Sequence, residues 1–302
     1  DEVLVRVHAA SVDRGTWHVM AGLPYPLRAA GFGLRRPKYL NPGRSLAGTV
    51  DAVGTGVSGF EPGDEVYGIG AGSFAEYVSV RTDTLAPIPS NLSFDEAAAV
   101  PVSALTALQA VRDHGRVSAD EKVLIVGASG GVGSFAVQIA KAFGAEVTGV
   151  CSTAGADALR GAGADHVIDY TRADPVDGRH RYDVVLDIAG NRRLSRLRRA
   201  LTPTGRLVIV GGETDGRWLG GSGRQLRALL LSPFVSQTLG TFVASENSDD
   251  LLVLRELIES GQVRPVIDRA YPLCEVSTAI RHLVEGHPRG KIVISVRDPG
   301  RG

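Results

Sequence analysis

Four glycines, Gly127, Gly130, Gly131 and Gly133, fall within the run Lys122-Val-Leu-Ile-Val-Gly-Ala-Ser-Gly-Gly-Val-Gly-Ser-Phe-Ala-Val-Gln-Ile-Ala-Lys141. A phosphate must approach backbone N–H groups with no side chain in the way, and glycine removes that side chain where a helix begins. The helix N-terminus adds free N–H donors and roughly half a positive charge. Val123–Val126 reads as a buried strand, and Val132, Phe135, Ala136, Ile139, Ala140 and Phe143 mark one apolar face of a helix. Strand, glycine turn and helix in direct succession form the context a dinucleotide fingerprint requires, which a plain glycine loop lacks. Ser129 and Val132 complete the expected pyrophosphate loop.

Such a cradle depends on the sheet that presents it. After Pro101 the chain alternates apolar strands with helical segments, the pattern of a parallel sheet covered on both faces. The strands are Val123–Val126, Glu146–Val150, His166–Asp169, Asp183–Ile188, Arg206–Val210 and Gly240–Ala244. They predict a six-stranded doubly wound sheet, with helices over 131–143, 155–162, 192–201 and 247–260. Gly190, Val210, Gly211 and Gly212 then sit at carboxyl ends of strands, the edge where ligands bind in open α/β sheets. At the end of the second strand an NAD site usually carries a carboxylate, whereas here Ser152 and Thr153 leave room for a 2′-phosphate. NADPH is the expected cofactor, with NADH as the alternative.

Before Asn91 the signals are short strands separated by glycine and proline: Val3–Val7, Ala47–Val53, Asp64–Gly68 and Phe74–Val80. They predict a small β-rich barrel. The tail beyond Val266 predicts a helix near Glu275–Glu285 and a strand Lys291–Val296. The run Leu226–Ala244 is apolar but too often interrupted for a membrane span, and it reads as an interface helix followed by a strand.

The 302 residues carry 33 basic and 33 acidic side chains, so no global field favours nucleic acid or an anionic membrane. A small-molecule partner is expected. Two cysteines, Cys151 and Cys274, are too few for a disulfide framework, which makes a reducing cytoplasm the expected location. The seven histidines are scattered without metal-ligand spacing.

Phrases along nearly the whole chain carry a resemblance. Ala9-Ala-Ser-Val-Asp13, Ala47-Gly-x-Val-x-Ala-Val-Gly54, Pro62-Gly-Asp-x-Val-x-Gly68, Ala97-Ala-Ala-Val-Pro101, Gly163-Ala-Asp-His-Val-Ile-Asp-Tyr170 and Gly290-Lys291 resemble the zinc-free quinone oxidoreductase branch of the medium-chain dehydrogenase/reductase superfamily. The resemblance implies an α/β chain with a GroES-like catalytic domain at 1–98 and 266–302, flanking a Rossmann NADP-binding domain at 99–265 joined through a helix Ser93–Arg112. It also implies a homodimer and residues preceding Asp1.

Zinc-dependent members hold the metal with an early cysteine and a Gly-His-Glu. This chain has Ser11-Val-Asp13 and Gly43-Arg-Ser-Leu-Ala-Gly48 there, so no metal is expected. Without a metal to polarise a carbonyl, the easier hydride acceptors are quinones and α,β-unsaturated carbonyls, whose developing negative charge is already delocalised. The alternatives are a free-standing enoyl reductase and a cofactor-binding protein with little turnover.

The segment Ser11–Tyr25 resembles the family's substrate loop. Asp13 is expected to position the acceptor, Tyr25 to hydrogen-bond its oxygen, and Trp17 to line the pocket, against the plainer role of Trp17 and Tyr25 as packing at the barrel mouth. Thr106 and Lys291 are carried over as cofactor contacts, and Tyr170 as a contact to the 2′-phosphate, although Ala154 occupies the usual basic position beside it.

Overall fold

The computed structural model describes residues 1–22, 40–211, 222–286 and 288–296. From its N-terminus the chain forms β1 (Glu2–Val12), α1 (Arg14–Ala21), β2 (Ser45–Val53), β3 (Glu65–Ile69), β4 (Tyr77–Arg81), β5 (Leu85–Pro87), α2 (Phe94–Ala98) and α3 (Pro101–Gln109). There follow β6 (Lys122–Val126), α4 (Gly131–Ala142), β7 (Glu146–Cys151), α5 (Ala156–Gly161), β8 (His166–Asp169), β9 (Tyr182–Asp187), α6 (Leu194–Arg199) and β10 (Leu201–Ile209). The remainder comprises α7 (Ser222–Leu231), β11 (Thr238–Thr241), α8 (Ser248–Glu259), β12 (Ile267–Pro272), α9 (Val276–Glu285) and β13 (Lys291–Ser295). Two compact units result, one built from Asp1–Leu105 with Ser245–Gly302, the other from Thr106–Ala244.

In the first unit seven strands pair in the order β12-β13-β1-β2-β3-β5, with β4 also on β1. Burial along β1 alternates because Val3, Val5 and Val7 point into a core with Leu46, Val50, Val66 and Val80. Farther along, Ala10 and Val12 enter a second cluster with Tyr271, Ile280, Ile292 and Ile294. One strand thus serves two cores, and pairing Ala9–Val12 with β13 brings the chain's tail beside its start.

The second unit holds six parallel strands in the order β11-β10-β9-β6-β7-β8, the doubly wound sheet expected from the alternation. Its central strands carry unbroken apolar runs, Val123–Val126 in β6 and Val184–Leu186 in β9, because helices cover both faces. Strand order reverses between β6 and β9, and the loops that leave their carboxyl ends flank the switch point.

Several boundaries differ from expectation. The single helix expected over 93–112 divides into α2 and α3. Ser93 caps α2 through a reciprocal box with Glu96, and Pro101, lacking an N–H, opens α3 rather than continuing its predecessor. Ser11–Tyr25, expected as a loop, contains α1. The helix expected over 192–201 is confined to α6, because β10 already begins at Leu201. The last strand of the parallel sheet lies at Thr238–Thr241 rather than 240–244, its register fixed by pairing with Arg206–Ile209. Two strands were not anticipated, β5 and β12. Finally, α8 packs within the first unit rather than the second: Asn91 donates to the carbonyl of Ile258 (2.8 Å) and the Tyr67 hydroxyl to that of Leu251 (2.6 Å).

Candidate functional site

The glycine turn of the second unit is built for close backbone approach. Gly127 leaves β6 with φ +86°, and a Cβ there would lie 2.9 Å from the amide of Ala189 in the loop after β9. Gly133 brings α4 hard against the turn, where a Cβ would stand 2.2 Å from the carbonyl oxygen of Gly127. Gly130 differs: an added Cβ would meet only that same oxygen, at 3.5 Å, so its open side is free for a ligand. Gly130 is also the N-cap of α4 and offers no side-chain acceptor. The first helical amides, Gly131, Val132 and Gly133, therefore lack an intrahelical partner by geometry. A cradle that added side chains would fill, with free donors at its mouth, fits a dinucleotide pyrophosphate.

Across the switch point the loop after β9 is tied to the same turn. The amides of Ile188 and Ala189 both donate to the carbonyl of Val126, each at 3.0 Å. Asp187 ends β9 fully buried. Its carbonyl accepts from the amides of Val210 (3.0 Å) and Gly211 (3.2 Å), and its Oδ1 from the amide of Gly190 (3.3 Å). Arg224 on α7 lies 2.6 Å from Asp187 Oδ2, an ion pair by proximity whose alignment leaves that oxygen without a hydrogen bond. The same guanidinium donates to the carbonyls of Arg192 (2.8 Å) and Gly211 (3.1 Å). Burial pushes the Asp187 carboxyl above the ordinary carboxylate range, against the opposing pull of Arg224. Gly190, Val210 and Gly211 are thus held by one buried pair, while Gly212 lies outside the described residues.

At the end of β7 the structure adds a carboxylate beside Ser152 and Thr153. Thr153 gives its hydroxyl proton to Asp169 at the end of β8, which also accepts from the amide (2.9 Å) and hydroxyl (2.7 Å) of Thr171. Those hydrogen bonds, Thr153 first, hold the Asp169 carboxyl below its usual range. A charged carboxylate therefore stands beside the Ser152–Thr153 pair. Tyr170 is exposed, and with Arg172, Arg192 and Arg196 it borders a cavity of about 430 Å³.

In the first unit Asp13 and Lys291 come together. They lie 278 positions apart, yet Lys291 Nζ donates to Asp13 Oδ1 and, at 2.9 Å, to Ser103 Oγ. Ser103 donates onward to Asp13 Oδ1 (3.0 Å) and Ser45 to Asp13 Oδ2 (3.2 Å). Both charged residues are buried, 6% and 2% exposed. Two of these groups, Asp13 and Ser45, belong to the segments compared above with zinc-ligand positions. Trp17 packs against the cluster of Ala10, Val12 and Tyr271, Thr106 is half-buried on α3, and Tyr25 lies outside the described residues. Among the described residues no group of three His, Cys, Asp or Glu side chains could hold a metal ion, and no helix is long and apolar enough to cross a membrane.

Comparison with known proteins gives the lineage. Residues 1–90 match the alcohol dehydrogenase GroES-like domain and residues 162–294 the zinc-binding dehydrogenase family. The chain is 33% identical to the mitochondrial NAD(P)H oxidoreductase RTN4IP1 of Danio rerio, across 99% of this chain and 84% of that protein. This chain belongs to the medium-chain dehydrogenase/reductase superfamily. Among its relatives in that superfamily, the quinone oxidoreductase of Sus scrofa is 31% identical over 96% of this chain and 87% of that protein. The solved quinone oxidoreductase of Coxiella burnetii superposes with a TM-score of 0.84 at 29% identity, covering 98% of this chain and 90% of that one.

Membership in the medium-chain dehydrogenase/reductase superfamily makes the chain an oxidoreductase that uses a nicotinamide cofactor. It also explains the sheet order and the glycine turn as one inherited unit. What sequence reading missed are the supports: Ser45, Ser103, Asp187 and Arg224. Asp187 had a visible signal, a carboxylate closing the apolar run Val184-Val-Leu186. The two serines and Arg224 had none, since only the fold brings them to their partners.

Proposed function

We propose that this chain is a zinc-independent, NADPH-dependent reductase of quinones or α,β-unsaturated carbonyls. When bound, the nicotinamide supplies the hydride. The protein's part is to hold the pyrophosphate on the amides of Gly131–Gly133 and the rest of the dinucleotide along Gly190, Val210 and Gly211, an orientation that raises effective molarity. Lys291 and Asp13, with Ser45 and Ser103, supply a fixed charge pair where zinc-dependent members place a metal, and this pairing supports the metal-independent reading. The names of relatives support the acceptor class, among them the 2-methylene-furan-3-one reductase of Solanum lycopersicum, 35% identical over 84% of this chain and 63% of that protein.

NADPH is favoured by Tyr170 and the arginines Arg172, Arg192 and Arg196 along this edge, while Asp174, paired with Arg192 and Arg196, and Asp169 beside Thr153 narrow its margin over NADH. We expect the two dissociation constants to differ by no more than about tenfold, or about 1.4 kcal/mol; a gap of about a thousandfold in either direction would contradict the mixed charge of that edge. Homodimer formation and a cytoplasmic location belong to the same proposal.

The single observation that carries it is the open side of Gly130 within an otherwise packed turn. Gly130→Val should fold with an unchanged melting temperature yet weaken NADPH binding by about a hundredfold or more, read from nucleotide fluorescence. Undiminished NADPH affinity would remove the pyrophosphate from this turn. Turnover of 1,4-naphthoquinone against a panel of enals then names the acceptor, and tight NADPH binding without turnover on either would favour a binding protein.

A further inference from the structure

The chain is neutral as a whole, yet five arginines gather around one cavity of the second unit. This cavity, about 750 Å³ in volume, is bordered by Arg192, Arg193, Arg198, Arg224 and Arg227. Among the described residues its lining contains no carboxylate. Two acids reach these arginines from outside the lining: Asp174, 3.1 Å from Arg192 and shared with Arg196, and Asp187, held by Arg224. Arg198 spends its Nε on the Gln237 side chain at 3.0 Å.

The guanidinium groups of Arg193 and Arg227 remain. Both residues are exposed, and neither group makes a hydrogen bond or ion pair among the described residues. Guanidinium groups meet carboxylate or phosphate with a planar fork of donors, so the missing chemistry is anionic oxygen.

Charge is only half of the lining. Leu194, Leu230 and Leu231 border the same space. A bare inorganic anion would leave this apolar wall in water, whereas a neutral apolar ligand would leave the arginines unanswered. Pockets that join an apolar wall to a few convergent polar groups are the usual form of small-molecule sites.

We propose that this cavity binds an amphipathic anion, a carboxylate or phosphate head on an apolar chain, with Arg193 and Arg227 meeting the head and Leu194, Leu230 and Leu231 meeting the chain. The cavity lies beyond the pyrophosphate turn, though its rim includes Gly190 and Arg192, which the reductase reading gives to the cofactor. Calorimetric titration of the full chain with dodecanoate, dodecyl phosphate, dodecyltrimethylammonium and inorganic phosphate, each below its micellar concentration, tests it. At least one dodecyl anion should bind about tenfold or more tighter than both the cation and inorganic phosphate, and which anion does so identifies the head. Arg193→Gln combined with Arg227→Gln should weaken that binding by about tenfold or more while the melting temperature and NADPH affinity stay put. Equal affinity for cation and anion, binding as tight for inorganic phosphate, indifference to the double substitution, or displacement of the amphiphile by NADPH would each overturn the assignment.

Discussion

The two units each bury one carboxylate against one cation, and they use the pair differently. In the first, the ammonium of Lys291 meets Asp13, and the remaining capacity of the carboxylate is met by the hydroxyls of Ser45 and Ser103. The groups on this carboxylate are side chains, with one backbone amide, that of Val102, donating to Ser45 Oγ (3.4 Å). In the second, the fork of Arg224 meets Asp187 and reaches on to the backbone carbonyls of Arg192 and Gly211. The lysine pair fixes where side chains stand at the joint of β1, β2, α3 and β13, while the arginine pair fixes the path of the loops beyond β9 and β10. A compact point charge suits the first task and a planar multi-donor group the second.

The deepest break in this comparison is Lys291→Met. It leaves the Asp13 carboxylate buried without its cation, and removal of one partner of a buried pair costs about 3–5 kcal/mol. Denaturant unfolding should show that loss, and adding Asp13→Asn should return most of it. A single-variant loss below about 1 kcal/mol, the range of exposed pairs, would mean that the network does not carry the joint.

Arg224 should yield less in stability and more in binding, because it is 11% exposed at its side chain and borders a cavity. Arg224→Lys keeps the charge but gives up the fork, so the carbonyls of Arg192 and Gly211 lose their shared donor. We expect about 2 kcal/mol of destabilisation from the lost charge-assisted bonds, with NADPH affinity falling in parallel; unchanged affinity would separate the arginine from the cofactor loops. The loss with Arg224→Gln should also depend on pH. Burial holds the Asp187 pKa above its unfolded value, so the stability this group contributes is fully present below the unfolded pKa and is lost as pH rises through the folded one. Without Arg224 that decline deepens, and the penalty of Arg224→Gln should shrink toward acid.

The same contrast explains what was legible in the sequence. The glycine turn, the six parallel strands and the first-unit strands β1 to β4 declare themselves through local spacing, period and flanking turns. β12 does not, because Ile267–Pro272 mixes charged and apolar residues with no alternation and takes its place by pairing with β13. Pro101 was visible, yet the helical pattern on either side masked the division it imposes. Asp13 and Lys291 were each singled out for a separate role. Their mutual contact depends on strand register between the two ends of the chain, and no short-range pattern encodes that. The bond from Thr153 to Asp169 is hidden from the sequence for the same reason, since Asp169 reaches it only across the β7–β8 pairing.

An exposed pair sets the bottom of the scale on which the two buried ones are measured. Asp165 accepts from Lys141 Nζ (2.8 Å) and the amide of Val147 (2.7 Å), with side chains about one-third exposed. Partial burial pushes its carboxyl up, but the lysine and the amide outweigh that and hold it below the usual range. A depressed folded pKa gives stability that is present above the unfolded value and is lost as pH falls through the folded one. Asp165→Asn should therefore cost about 1 kcal/mol or less near neutrality, given solvent screening. The difference from wild type should vanish in acid, because the stability that Asp165 contributes is lost as pH falls, whereas that of Asp187 is lost as pH rises. If denaturation showed Asp165→Asn costing as much as Lys291→Met, burial would not be what separates the strong pairs of this molecule from the weak one.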